Sequence, residues 1–226
     1  HTMVQEDINK VLLEEAEKGN KVVRLKGGDP FLFGRGGEEL ELLSENGIPY
    51  EIVPGVTSPI SVPAYNGIPV THRDFCSSLH IITGHKRAGQ EYDIDFKALT
   101  RTKGTLVFLM GIAALEDICK GLLAGGMDPN VPAAVLQKGT TAGQKRVVAT
   151  VGTLKEEVDR PGIETPAIIV VGKVCSLADK FAWYEKLPLA GWKVLVTRPR
   201  QHISKTADLL RQKGAEVLEL PSICTV

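Results

Sequence analysis

Two segments of this chain are almost continuously apolar: TLVFLM at residues 105–110 and AIIVVGKV at residues 167–174. A strand with one face in water alternates apolar and polar residues, whereas a strand covered on both faces does not. The pattern therefore predicts two strands in the interior of a sheet that has helices on both of its faces. This arrangement is an α/β fold.

Other elements alternate around these two segments. In the later part of the chain we expect strands at residues 79–83, 105–110, 133–137, 145–150 and 167–174, with helices at 96–100 and 113–124. In the earlier part, helical periodicity is present at residues 6–18, 36–46 and 57–66, and short strands are expected at 21–25 and 50–53. The sequence thus predicts a first lobe at residues 1–70 and a second at 71–185.

The composition changes again at residues 186–191 (KLPLAG), which we interpret as a linker. Beyond it, a strand at 193–196, a helix at 203–213 and a strand at 216–220 make one βαβ unit. A piece of this size buries too little surface to be stable alone. We therefore expect residues 192–226 to be the incomplete start of a second α/β domain.

Charge and cysteine content exclude several classes of protein. Lys plus Arg and Asp plus Glu number 27 each, so a broad surface for nucleic acid or anionic lipid is not expected. No membrane span and no export signal are apparent. The four cysteines are Cys76, Cys119, Cys175 and Cys224. They form no CxxC pair, and such wide spacing favours buried, reduced thiols in a protein of a reducing compartment, with disulfides as the weaker alternative. We expect a cytoplasmic protein.

The segment RLKGGDPFLFGRGGEE at residues 24–39 is the most distinctive motif. Gly27 and Gly28 permit close approach of a ligand to the backbone and expose N–H donors. Asp29 would follow a strand, where α/β sheets bind ligands, and could accept from ribose hydroxyls or an ammonium group. A tight turn capped by Asp29 explains the pattern at least as well. P-loop, GxGxxG and GxSxG motifs are absent, and the spacing of His80 and His85 does not favour a metal site.

Several motifs in order resemble the tetrapyrrole (class III) methylase family, and within it the uroporphyrinogen-III C-methyltransferases. The matching segments are VVRLKGGDPFLFGRGGEE, VPGVTSPISVPAYNGIPVTHRD, ITGH, VFLMG, LQKGTTAGQKRVVATVGTL and TPAIIVVGKV, which together cover residues 1–182. The resemblance implies a two-lobed α/β methylase fold whose first lobe is incomplete here. It also implies a homodimer that binds S-adenosylmethionine between the lobes and releases S-adenosylhomocysteine.

Carried over residue by residue, the resemblance implies cofactor contacts at Gly27, Gly28, Asp29, Leu32, Thr57, Ser58, Met110 and Gly139. Each has a simpler alternative. Met110 alone would fill a core, Thr57 or Ser58 would cap a helix, and Gly139 would form a turn. The shared register of the motifs favours the cofactor interpretation.

The substrate of this family carries acetate and propionate groups, so the resemblance implies cationic contacts from Arg35, His72 and Arg73. The alternative for Arg35 is an ion pair with Glu38 or Glu39 on its own helix turn. Four other cations are expected to be solvated surface charges: Lys86, Arg87, Lys145 and Arg146.

The tail from residue 189 resembles the opening of uroporphyrinogen-III synthase through VLVTRP and LxxxGAEVLELP, and this would place Arg198 near a carboxylate-rich ligand. The family's first loop and its proposed acid and lysine would precede the position that matches His1. We therefore assign no catalytic residue here and expect these 226 residues alone to be inactive. The alternatives are a later corrin-ring methylase of the same fold and a non-catalytic tetrapyrrole-binding module.

Overall fold

The computed structural model of the chain describes residues 3–84, 94–160, 162–198 and 200–222, without the side chains of 200–204. Two compact units divide the chain between Ser58 and Pro59. His85 and Cys224, which the sequence analysis named, lie outside the described residues. This division does not test the predicted domain boundaries at residue 70 and at residues 186–191, which stay predictions.

The first unit is built on two helices, α1 (Gln5–Glu17) and α2 (Gly36–Glu45). They are joined by a hydrogen bond from the Asn9 amide to the Glu38 carbonyl. A third helix, α3 (Ser58–Tyr65), begins where this unit ends. All three agree with the predicted helices to within one residue at the start and at the end.

The two strands predicted in the first unit are wrong. Neither residues 21–25 nor residues 50–53 form the ladder of hydrogen bonds that defines a strand. A strand exists only with a partner, and none of the described segments pairs with these two. Their apolar side chains are accordingly exposed, with Leu25 at 85% and Val53 at 73%.

The second unit contains a five-stranded sheet. Its strands are β1 (Leu79–Thr83), β2 (Thr105–Leu109), β3 (Pro132–Gln137), β4 (Lys145–Thr150) and β5 (Ala167–Val171). The order across the sheet is β1-β2-β5-β3-β4, and only the β1–β2 pair is parallel. All five predicted strands are present, although β5 ends three residues earlier because residues 173–177 turn into a 3-10 helix.

The helices of the second unit after α3 are α4 (Phe96–Thr102), α5 (Leu115–Ala124) and α6 (Leu154–Asp159). Leu106 and Phe108 of β2 pack on one face of the sheet against Ile118 of α5. Val107 and Leu109 of the same strand pack on the opposite face. The prediction of an interior strand covered on both sides is confirmed.

The end of the second unit is a small βαβ module, formed by β6 (Lys193–Val196), α7 (Arg200–Gln212) and β7 (Glu216–Glu219). The strands are parallel and cover a small core that includes Val196 and Ala207. Hydrogen bonds tie the module to the preceding segment, from the Leu189 N–H to the Lys213 carbonyl and from the Tyr184 hydroxyl to the Gly214 carbonyl. Within the described residues, no helix has the length and apolar character that a membrane span requires.

Candidate functional site

The loop between residues 26 and 36 is held by Asp29. One carboxylate oxygen accepts from the N–H groups of Phe31 (2.9 Å) and Leu32 (3.2 Å), and the other accepts from the N–H of Gly55 (3.1 Å). The hydrogen bonds from Gly55 and Phe31 keep the pKa of Asp29 below its ordinary value, against the opposing effect of burial. Asp29 therefore caps its own turn, as one interpretation predicted, and also ties that turn to the Pro54–Gly55 segment.

The glycines of this loop differ in what surrounds them. A Cβ at Gly27 would meet no atom within 4 Å, whereas Gly28 has a left-handed φ of +78° and lies beside Thr57. Both glycines are exposed, and among the described hydrogen bonds none uses the N–H of either one. A Cβ at Gly55 would lie 2.2 Å from the Gly28 carbonyl oxygen. Gly55, which the sequence analysis did not select, is thus required for the close approach of the two segments.

A buried carboxylate stabilises the base of the loop. Glu39 in the first turn of α2 is only 4% exposed and accepts hydrogen bonds from Lys26 (2.7 Å), Arg24 (3.2 Å) and Gln5 (3.1 Å). Burial alone would raise the pKa of Glu39, but the hydrogen bonds of Lys26 and Gln5 and the nearby positive charges outweigh it, so the pKa is lowered. The sequence analysis considered Glu39 only as a partner of Arg35, and this role was missed.

Two of the predicted cofactor residues lie in the second unit. Met110 directly follows β2, has a left-handed φ of 54° and is 56% exposed, so it does not fill the core. Gly139 lies in the turn after β3, where a Cβ would be 2.4 Å from a methyl carbon of Val62 in α3. Gly139 therefore has a packing role, whatever else it contacts.

Arg35, His72 and Arg73 have different surroundings. Arg35 makes a bidentate ion pair with Glu38, at 2.6 and 2.9 Å, which is the alternative that the sequence left open. His72 accepts the Asp74 N–H at Nδ1 (3.2 Å), and Arg73 is exposed.

One expectation about surface charges is wrong. Arg146 is only 15% exposed and binds the carboxylates of Asp179 (2.6 Å) and Glu185 (2.7 Å) and the carbonyl of Asn66 (3.0 Å). The edge strand β4 brings its side chain against the segment after α3, a proximity that sequence spacing does not show. Lys86 and Arg87 lie outside the described residues.

The described residues contain no group of three or more His, Cys, Asp or Glu side chains that could hold a metal ion. His80 is instead hydrogen-bonded to Ser78 at 3.2 Å. Within the same part of the chain, Cys76, Cys119 and Cys175 are free thiols, and burial raises the pKa of Cys119 to about 11. The buried Cys119 and Cys175 act as small apolar residues.

A family model for tetrapyrrole (corrin/porphyrin) methylases matches residues 1–155. The chain belongs to the tetrapyrrole methylase family. The matched range contains the 24–39 loop, the Pro54–Ser58 segment, Met110 and Gly139, and the family agrees with the resemblance drawn from the motifs.

Curated relatives of this tetrapyrrole methylase match most of the chain. A uroporphyrinogen-III C-methyltransferase of Bacillus subtilis is 51% identical over 185 residues, which are 82% of this chain and 72% of the relative. A porphyrin biosynthesis protein of Ruminiclostridium josui is 56% identical over 223 residues, or 99% of this chain. A siroheme synthase of Methylobacillus flagellatus is 47% identical over 188 residues. The chain spans 44% and 40% of the lengths of the last two proteins.

Solved structures support the same fold. The uroporphyrin-III C-methyltransferase of Thermus thermophilus in complex with S-adenosylhomocysteine matches with a TM-score of 0.65 and 37% identity, over 76% of this chain and 74% of that one. A cobalt precorrin-4 methyltransferase matches with a TM-score of 0.69 and 26% identity, over 76% and 72%. The predicted α/β tetrapyrrole methylase fold is therefore confirmed.

The candidate site residues of this methylase fall into both units. In the first unit, Gly27, Gly28 and Asp29 share one loop with the half-buried Leu32, and Thr57 lies beside Gly28, followed by the exposed Ser58. Met110 and Gly139 belong to the second unit. The sequence analysis missed Gly55, for which the Pro-Gly dipeptide was a usable signal, and Glu39, for which no local signal exists.

Proposed function

We propose that this chain is the methylase part of an enzyme that transfers methyl groups from S-adenosylmethionine to two ring carbons of uroporphyrinogen III in turn. The products would be precorrin-2 and S-adenosylhomocysteine. The identity of 51% with a uroporphyrinogen-III C-methyltransferase, over 82% of this chain, supports this proposal. The observation that carries it is the open Gly27–Gly28 loop, which Asp29 holds in shape.

The residues present fit the cofactor. Gly27 and Gly28 offer two exposed backbone N–H donors in a place where a side chain would fill the space next to the loop. These donors suit the carboxylate or the ribose oxygens of a nucleoside with an amino-acid tail. Asp29 contributes by holding the loop, since its carboxylate is already bound by three N–H groups. Thr57 adds a hydroxyl group beside Gly28.

S-adenosylmethionine supplies a methyl group on a positively charged sulfur, which an electron-rich pyrrole carbon attacks. The protein's contribution in this proposal is mainly to hold that carbon and the methyl group in line. Met110, which extends from the end of β2, is proposed to pack against the cofactor, and the backbone of Gly139 is proposed to contact it. A proton must leave the ring afterwards, and we assign that step to no residue of this chain.

The acetate and propionate groups of the substrate require cations. Arg73 is exposed and available for such a contact, whereas Arg35 would first have to exchange Glu38 for a substrate carboxylate. His72 presents Nε2, because Nδ1 accepts a backbone N–H. We propose that Arg73 makes the first contact with the substrate and that Arg35 and His72 contribute to it.

The tail supports a bifunctional protein. The relative from Ruminiclostridium josui matches 99% of this chain, so its similarity extends through the βαβ module. We propose that the module begins a uroporphyrinogen-III synthase domain, which would make the substrate of the methylase. A homodimer, a cytoplasmic location and a role in the siroheme or cobalamin branch belong to the same proposal.

The likeness to a cobalt precorrin-4 methyltransferase favours a second candidate, a later corrin-ring methylase. The test is to supply methyl-labelled S-adenosylmethionine to the full-length protein with uroporphyrinogen III or with a later corrin intermediate. Two labelled methyl groups on uroporphyrinogen III, with two equivalents of S-adenosylhomocysteine, are expected. Transfer only to the later intermediate would favour the second candidate, and binding of both ligands without transfer would indicate a non-catalytic module.

A further inference from the structure

The turn between β3 and β4 has an unusual backbone. It carries Gly139, and the residues on either side, Lys138 (φ 45°) and Thr140 (φ 69°), are both in the left-handed region. That region is unfavourable for a side-chain-bearing residue, and more so for a β-branched one such as threonine. Such a conformation persists only where neighbouring groups hold it, so the contacts of this turn determine whether it keeps its shape.

On one side, the turn is held by helix α3. Gly139 lies against Val62, and the Gln144 amide donates to the Tyr65 carbonyl at 3.2 Å. Within the turn, Gln144 also accepts the Thr140 N–H at 2.8 Å through its Oε1.

On the other side, the turn is held by the βαβ module. Oε2 of Glu216, at the start of β7, accepts the N–H of Ala142 at 2.8 Å. The other oxygen, Oε1, binds Lys193 of the neighbouring strand at 3.2 Å. The carboxylate thus joins the module to the turn with one oxygen and to its own sheet with the other. The same Ala142 hydrogen bond is the main reason that the pKa of Glu216 is lowered.

We propose that Glu216 is a positioning residue, which acts through Ala142 to keep the β3–β4 turn, and with it the backbone of Gly139, in the conformation that binds the cofactor. This inference rests on the proposed function, because it assumes that Gly139 contacts S-adenosylmethionine. It means that the module after residue 191 contributes to the methylase site without touching the ligand.

The test compares three variants of the full-length protein by calorimetric titration with S-adenosylmethionine. Glu216→Ala removes the acceptor and is expected to weaken binding about fivefold, the effect of one hydrogen bond to a partly exposed carboxylate. Glu216→Gln retains an oxygen acceptor and should bind nearly as well as the wild type. Glu219→Ala is the matched control, since Glu219 lies on the same strand and pairs with Arg211 rather than with the turn.

Amide exchange provides a readout that does not depend on the ligand. The Ala142 N–H should exchange about fivefold faster in Glu216→Ala than in Glu219→Ala, with unchanged global unfolding. Equal cofactor affinity in the two alanine variants would overturn the inference. If the wild type binds no S-adenosylmethionine, the proposed function fails. The exchange rate at Ala142 then tests the hydrogen bond to Glu216 by itself, and an unchanged rate in Glu216→Ala would overturn the positioning role of Glu216.

Discussion

Replacing Gly139 by alanine tests how the turn packs against α3. The new methyl group would lie 2.4 and 2.7 Å from the two γ carbons of Val62 and 2.9 Å from its Cβ. All three distances are shorter than a carbon–carbon contact allows. The φ of Gly139 is not left-handed, so the backbone itself accepts alanine and the collision is the dominant effect.

The magnitude follows from these contacts. Forcing one carbon into a filled space costs about 2–3 kcal/mol of unfolding free energy. Val62→Ala alone removes two buried carbons and costs about 2 kcal/mol. In the double variant the two γ carbons are gone, so only the contact at 2.9 Å remains and the added methyl group refills part of the cavity. We expect the double variant to lose about 3 kcal/mol in total, a coupling of about 1.5 kcal/mol.

The assay is urea unfolding followed by the fluorescence of Trp183, whose indole donates to the Ala64 carbonyl next to Tyr65 in the same unit. Trp192→Phe removes the second tryptophan signal. Gly143→Ala is the control, because its Cβ would make an ordinary 3.4 Å contact in the same turn, and it should change stability by less than about 0.5 kcal/mol. Strictly additive losses in the double variant would refute the packing argument.

Three further predictions concern the first unit. Gly28→Val should abolish S-adenosylmethionine binding in calorimetry with the fold retained, because a branched side chain resists φ +78°; wild-type affinity would contradict the loop assignment. The lowered pKa of Asp29 means that its contribution to stability is present above the ordinary Asp pKa and is lost as pH falls through the lowered value. Asp29→Asn has one oxygen acceptor instead of two and no titrating group, so the stability measured by urea unfolding should depend less on pH in the acid range. A pH dependence equal to that of the wild type would contradict the role of Asp29 in holding Gly55. Glu39→Ala leaves the ammonium group of Lys26, which is 12% exposed, without its carboxylate partner, and should lower the unfolding free energy of the first unit by about 2–3 kcal/mol. The measurement is amide exchange, which should become faster in α1 and α2. Exchange equal to that of the wild type would contradict the role of the buried ion pair.

Periodicity located the strands of the second unit and its helices other than α6, because those elements carry their own pattern; the six-residue α6 (Leu154–Asp159) was not predicted. The alternate burial of β2 against two core faces requires a nearly continuous apolar run, and that run is visible in the sequence. The strands expected at residues 21–25 and 50–53 show the limit of this reasoning. Their β-branched residues have the right propensity, but a strand is stabilised by a neighbour that no local pattern can report.

The candidate site shows the same division. The Gly27-Gly28-Asp29 loop could be selected from three consecutive residues, since glycine and aspartate have distinct backbone chemistry. The second acceptor role of Asp29, toward Gly55, joins residues 26 positions apart and was visible only in the structure. Arg146 was taken for a solvated charge because its two carboxylate partners are 33 and 39 positions away.

The family and the α/β class could be predicted from the residues alone, because both depend on residue type, order and short-range spacing; the motifs proposed to face the ligand were selected in the same way. Four facts become visible only in the folded chain: the oxygens of Asp29 and of Glu216 that accept each N–H, the burial of Glu39 among cations, and the packing of Gly139 against Val62. The physical reason is that hydrogen bonds and van der Waals contacts act over a few ångströms in space. Segments far apart in the chain meet at those distances only after folding.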